Sequence, residues 1–235
     1  DTINISAITQ GGAAGHTRWS LSASGADTVA GVVHYNSSYA EVSAYVTAIA
    51  SGTAHLQFNN HPTTGNNWLT QVNIKDVENW NILAGSGYAD LLIVKGVNTQ
   101  YHGGAHLAHA ADTLYANWSA ASNAITWVNN PAQTQVVNDV TISGIERMLI
   151  ATGSGNDSID NTYTGNNTND YIDTGAGNDT INGGAGVDTI SAGDGDDTIT
   201  LVSGAGANYI IDGGLGVDTI NISAITQGGA AGHTR

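Results

Sequence analysis

Three nine-residue stretches in direct succession, TGAGNDTIN, GGAGVDTIS and AGDGDDTIT, fill Thr174 to Thr200. Each runs small, Gly, x, Gly, x, Asp, Thr, Ile, x, and those residue types fix its chemistry. The glycines Gly175, Gly177, Gly184, Gly186, Gly193 and Gly195 allow positive φ and a tight turn that side chains would block. Such a turn aims backbone carbonyl oxygens inward, and the Asp adds a carboxylate. A donor set made only of oxygen suits Ca²⁺, a hard ion that takes about 6–8 oxygens. The Thr-Ile-x that follows reads as a short strand, with Ile on one face and its neighbours on the other.

One nonapeptide is then a turn plus a strand, half of a coil. Two of them, 18 residues, return the chain to the same side. Asp170 and Asp188 are 18 apart, and so are Asp179 and Asp197. Each pair is expected to stack and to share an ion between successive turns. Asn156, Asn178, Asp194 and Asp196 lie in the turns as further oxygen donors. Ile172, Ile181, Ile190 and Ile199 are expected to form core ladders. The wider run starts nonapeptides at Thr152, Gly165, Thr174, Gly183, Ala192, Ser203 and Gly213. Their sixth places are Asp157, Asp170, Asp179, Asp188, Asp197, Asn208 and Asp218. Inserts at 161–164, at 201–202 and at Asp212 predict bulged corners, and Asn208, without a charge, predicts a weaker site.

The nonapeptide resembles the repeats of RTX (repeats-in-toxin) proteins, which bacteria secrete. That resemblance implies several bound Ca²⁺ ions, type I secretion and folding triggered by Ca²⁺ outside the cell. The expected fold class is all-β: a calcium-binding parallel β-roll or β-helix with associated irregular β-strand segments, repeated in tandem.

The rest of the chain must carry these turns. It has 235 residues, a formal charge of −15, 31 Gly, no Cys and 40% hydrophobic residues. Charged residues are only 11%, which excludes an acidic disordered tail and leaves enough Ile, Val and Ala for an all-β core. The acidic balance argues against nucleic acid as a partner. No apolar run approaches the roughly 18 residues that span a bilayer. Strands are expected at 29–35, 54–58, 68–74 and within 112–151. EVSAYVTAIA (41–50) is open to either helix or strand, and its alternating Val and β-branched residues assign it to strand. Residues 72–87 align without gaps to 140–155, with Glu78 matching Glu146 and Ile82 matching Ile150. The expected organisation is a β-rich module with degenerate turns over 1–111, a strand segment over 112–151 and the roll over 152–221. Roll-like backbone with weaker calcium binding is expected at Asp90 and Asp112.

The two ends are identical. Residues 1–18 and 218–235 both read DTINISAITQGGAAGHTR, at an offset of 217. The simplest reading is a tandem array of that period, with 218–235 opening the next copy. Asp1 then stands in mid-nonapeptide, and a GGLGV-like stretch is expected before it.

Other chemistry is less well supported. His102, His106 and His109 could bind Zn²⁺, Ni²⁺ or Cu²⁺, but a solvent-exposed loop is the preferred reading. Tyr35, Tyr39, Tyr45, Trp68, Trp80, Trp118 and Trp127 could form a sugar platform, but core filling is preferred. No HExxH or GxSxG is present and no Cys nucleophile is possible, so an enzyme is not expected. The leading expectation is an extracellular, cell-surface structural repeat whose partners are neighbouring copies end to end. Such a repeat would serve an adhesin, a surface layer or a filament. Alternatives are a module that binds surface glycans, lateral self-association, or a non-catalytic RTX module of a secreted enzyme.

Overall fold

A computed structural model of the chain describes residues 1–6, 16–23, 36–50, 54–61, 70–72, 77–83, 90–104, 111–163, 167–202 and 209–223. The chain divides into two compact units, Asp1–Trp118 with Asn129–Ala151, and Ser119–Val128 with Thr152–Arg235.

The second unit is a parallel β-roll. Strands Thr126–Val128, Ser158–Asp160, Thr180–Asn182, Thr198–Val202 and Thr219–Ser223 stack in parallel. Strands Tyr171–Asp173, Thr189–Ser191 and Ile210–Asp212 form a second parallel stack. The chain crosses from one stack to the other at each turn, so strands of alternate nonapeptides pair. Register aligns Trp127, Ile159, Ile181, Ile199 and Ile220 in one ladder. It aligns Ile172, Ile190 and Ile211 in the other. Ile172, Ile181, Ile190 and Ile199 are fully buried. A one-residue slip would turn each ladder outward, which is why the period holds the register.

The corner before Ile210 departs from the sequence reading. Thr189 pairs with Ile210, so residue 209 rather than 208 stands opposite Asp188. Tyr209 therefore occupies the sixth place, and Asn208 lies outside the described residues. The shift is what keeps Ile211 opposite Ile190.

In the first unit the chain also alternates between two stacks. Asn79–Leu83, Gln100–His102 and Val140–Ser143 pair in parallel, with Thr2–Ser6 at one edge. Leu91–Ile93, Thr113–Asn117 and Arg147–Ala151 form the other parallel stack. Trp80, Ile82, Tyr101, Leu92, Leu114 and Met148 are among its buried core residues. Gln135–Val137 joins Val140–Ser143 as an antiparallel hairpin. Its two loop residues, Asn138 and Asp139, have φ of 46° and 61°, the left-handed pair of a two-residue turn. The two copies of the internal sequence repeat thus send Asn79–Leu83 and Arg147–Ala151 into different stacks. A separate antiparallel sheet holds His16–Ala23, Ala54–His61 and Thr70–Val72. The strand expected at 29–35 lies outside the described residues.

Residues 41–50 are not a strand but part of a helix, Tyr39–Ala50. The cause is a capping box. Glu41 Oε2 accepts the Ser38 N–H at 2.7 Å and its hydroxyl at 2.9 Å. The Glu41 N–H in turn donates to Ser38 Oγ at 3.3 Å. Val42 and Tyr45, one helical turn apart, are buried.

Ile181 has register partners on both sides in its ladder. Ile181→Ala should cost about 2–5 kcal/mol of stability in the calcium-loaded chain, read from the denaturant midpoint. A loss under about 1 kcal/mol would contradict a close-packed ladder.

Candidate metal centre

Two opposed hydrogen-bond ladders tie each coil of the roll to the next. The sixth-place Asp stands just before its strand and points backward. Asp179 Oδ1 accepts the N–H of Asp157 at 2.7 Å, and Asp197 Oδ1 accepts that of Asp179 at 2.7 Å. Asp218 Oδ1 accepts that of Asp197 at 3.1 Å. On the other side of the coil, Asp188 Oδ1 accepts the N–H of Asp170 at 3.0 Å. The fifth-place residues point forward. Asn156 Oδ1 accepts the N–H of Asn178 at 2.9 Å, Asn178 Oδ1 that of Asp196 at 3.1 Å and Asp196 Oδ1 that of Val217 at 2.8 Å.

The ladders separate inside from outside. Asp157, Asp170, Asp179, Asp188 and Asp197 are buried, and Asp218 is half-buried. Asn156, Asn178, Asp194 and Asp196 are exposed. Gly175, Gly177, Gly184, Gly186, Gly193 and Gly195 all have positive φ. Gly193 shows why nothing larger serves. A β-carbon there would stand 1.7 Å from Gly175 O, one coil earlier. That carbonyl also accepts the Asp194 N–H at 2.8 Å.

One oxygen of each inward carboxylate is left over. Oδ2 of Asp157, Asp179, Asp188 and Asp197 is buried without a hydrogen-bond partner. Asp170 differs: Asn161 Nδ2 donates to its Oδ2 at 2.8 Å, and the Thr168 hydroxyl also reaches it. Burial pushes the carboxyls of Asp179 and Asp188 up to about 6. It raises Asp197 as well, with the nearby charges of Asp218 and Asp196 adding to the effect. Buried, unpaired carboxylate oxygens on stacked turns fit a hard cation, which would repay the desolvation. Among the described residues no three acidic or His side chains group closely enough to hold a metal unaided. Asp157, Asp179, Asp188 and Asp197 would therefore act with turn carbonyls, each of which has a second lone pair. Bound Ca²⁺ would supply positive charge against the stacked carboxylates and tie one turn to the next.

The first unit repeats the backward ladder without the nonapeptide. Asp112 Oδ1 accepts the N–H of Asp90 at 2.7 Å, and Glu146 Oε2 accepts that of Asp112 at 2.8 Å. Asp112 Oδ2 stands 2.7 Å from the β-carbon position of Gly103, as Asp188 Oδ2 stands 2.6 Å from that of Gly183. Burial raises Asp90 to about 7 and Asp112 to about 9, the charges of Asp90 and Glu146 adding to the latter. The available signal was an acid directly before an apolar strand: DLLI, DTLY, ERML.

The remaining candidates fall elsewhere. His102 Nδ1 hydrogen-bonds Ser143 Oγ, while His106 and His109 lie outside the described residues. Tyr45, Trp80, Trp118 and Trp127 are buried and Tyr39 half-buried against the Tyr115 ring, while Tyr35 and Trp68 lie outside the described residues.

A parallel roll with a carboxylate before most of its strands and glycines where its turns touch defines the class: a calcium-binding repeat module. Residues 164–199 match the model of the RTX calcium-binding nonapeptide repeat (4 copies), and the chain carries RTX repeats. No curated protein and no solved structure matches the chain. RTX nonapeptide repeats bind calcium in general.

Two outcomes follow. Gly193→Ala, strained in φ and in contact with a backbone oxygen, should destabilise the roll by at least about 2 kcal/mol in urea titrations. A neutral effect would mean that the turns are not in contact. In the metal-free chain, Asp179 and Asp188 have folded pKa values above the unfolded value near 3.8. Their contribution is fully present below that value and is lost as pH rises through about 6. Metal-free stability should therefore fall between pH 4 and pH 7, while calcium affinity rises over the same range. A metal-free chain that gains stability over that range would refute the buried-acid account.

Proposed function

We propose that the chain is a calcium-stabilised structural repeat, a rod or fibre segment of a long secreted surface protein such as an adhesin, a surface layer or a filament. The observation that carries this reading is the identity of residues 1–18 with 218–235. A near-identical period is what a quasi-one-dimensional array requires, since each repeat meets only its neighbours. The calcium chemistry supports an extracellular site of action. Without a cation, stacked carboxylates repel and a glycine-rich chain has much entropy to lose on ordering. At about millimolar Ca²⁺, as outside cells, the same turns are held. No helix among the described residues is long and apolar enough to cross a membrane, which leaves the assignment to the surface resting on the repeats. The role is mechanical rather than catalytic.

Circular dichroism of the chain with Ca²⁺ and with chelator tests the calcium dependence. The β signal should collapse in chelator and return with Ca²⁺, and an unchanged signal counts against the reading. Asp188→Asn keeps the Oδ1 acceptor and removes the buried charge. It should stabilise the metal-free chain at pH 7 and weaken calcium binding, a crossing of signs that simple damage would not give. The parent reading frame tests the array: many 217-residue copies support it, and one copy beside a catalytic domain sinks it.

A further inference from the structure

The hexapeptide DTINIS occurs twice, and its two copies sit at two different sheet edges. Thr2–Ser6 is the outermost strand beside Asn79–Leu83. Thr219–Ser223 is the outermost strand beside Thr198–Val202. Both pairings are parallel. We propose that in a tandem array these are one strand: residues 218–223 of one copy serve as residues 1–6 of the next and carry the sheet across the junction. This rests on the tandem-array reading above.

The backbone groups carry the argument. In a parallel ladder a residue's N–H and C=O point to the same neighbour, and successive residues alternate between neighbours. The Asn79 N–H donates to Asp1 O at 3.1 Å, so Asp1, Ile3 and Ile5 bond towards Asn79–Leu83. The Thr219 N–H donates to Asp197 O at 2.8 Å, so Thr219, Asn221 and Ser223 bond towards Thr198–Val202. In the shared numbering of the hexapeptide these are opposite sets. One strand makes both pairings with no group used twice.

Two further ladders join in the same register. Ile199 pairs with Ile220, and Ile3 pairs with Trp80; Leu201 pairs with Ile222, and Ile5 with Ile82. Ile220 and Ile222 are 47% and 58% exposed, whereas Ile199 is fully buried. A following copy would cover them with the strand that bears Trp80 and Ile82. The carboxylate ladder continues as well. The Asp197 N–H donates to Asp218 Oδ1, and the Asp1 amino terminus, an ammonium that a junction would replace with a peptide N–H, pairs with Glu78 Oε2. With Asp218 and Asp1 the same residue, Glu78 takes the next place in the file.

Backbone hydrogen exchange in Ca²⁺ tests this on a chain of two 217-residue copies followed by residues 218–235. The amides of Ile220 and Ile222 face outward at the free end and should exchange fast there. At the internal junction they should exchange about a hundredfold slower or more. Equal rates at the two places overturn the proposal. Ile220→Pro at the junction removes the outward N–H, together with the Ile side chain and part of the backbone freedom. It should release Ile222 while Thr219, bonded inward, keeps its protection. If Thr219 is released too, the wild-type comparison decides alone. The parent reading frame is a separate measurement. A single-copy parent refutes the array, whereas equal exchange rates refute only the shared strand.

Discussion

Parallel coils place equivalent residues above one another at the strand spacing, about 4.8 Å. For Ile that repetition is favourable, since identical branched side chains interdigitate into a continuous core. For Asp it is a penalty, because buried like charges at that spacing repel. The roll is organised around this conflict. Asp157, Asp179, Asp188 and Asp197 each give one oxygen to the backbone of the coil before and keep the other buried and unpaired. The backbone bonds between coils are therefore made while these inward oxygens stay unpaired, and a divalent cation would supply what is missing.

Where the sequence repeats literally, it was legible. The small-Gly-x-Gly-x-Asp-Thr-Ile-x stretch contained the turns, the parallel stacking and the buried Ile172, Ile181, Ile190 and Ile199, because a fixed period leaves one register. The separation of fifth from sixth places was not legible. Asn178 and Asp179 are adjacent oxygen-bearing residues, and only the alternation of the backbone sends the first outward and the second inward.

Two features escaped for different reasons. The helix Tyr39–Ala50 was hidden by β-branched residues, and its signal lay at the boundary, in the reciprocal bonds of Ser38 and Glu41. A tertiary setting that buries Val42 and Tyr45 outweighs weak local propensity. Roll-like turns at Asp90 and Asp112 were expected, but the place of Glu146 in their file was obscured by irregular spacing, which spans insertions. What the structure conserves there is the place of an acid before a strand, while the intervening chain varies in length.

The forward ladder has a consequence for the outside of the roll. At the fifth place the side chain need only present an oxygen to the N–H of the next coil. Asn156, Asn178 and Asp196 do so interchangeably, while Val217 receives such a bond and passes none on. Exchange of Asn for Asp there leaves the coil-to-coil bond intact and alters the solvent-facing charge by one. The exterior electrostatics of the roll are thus an adjustable property, set coil by coil, and felt inside only where a fifth-place charge adjoins an inward carboxylate, as Asp196 does Asp197.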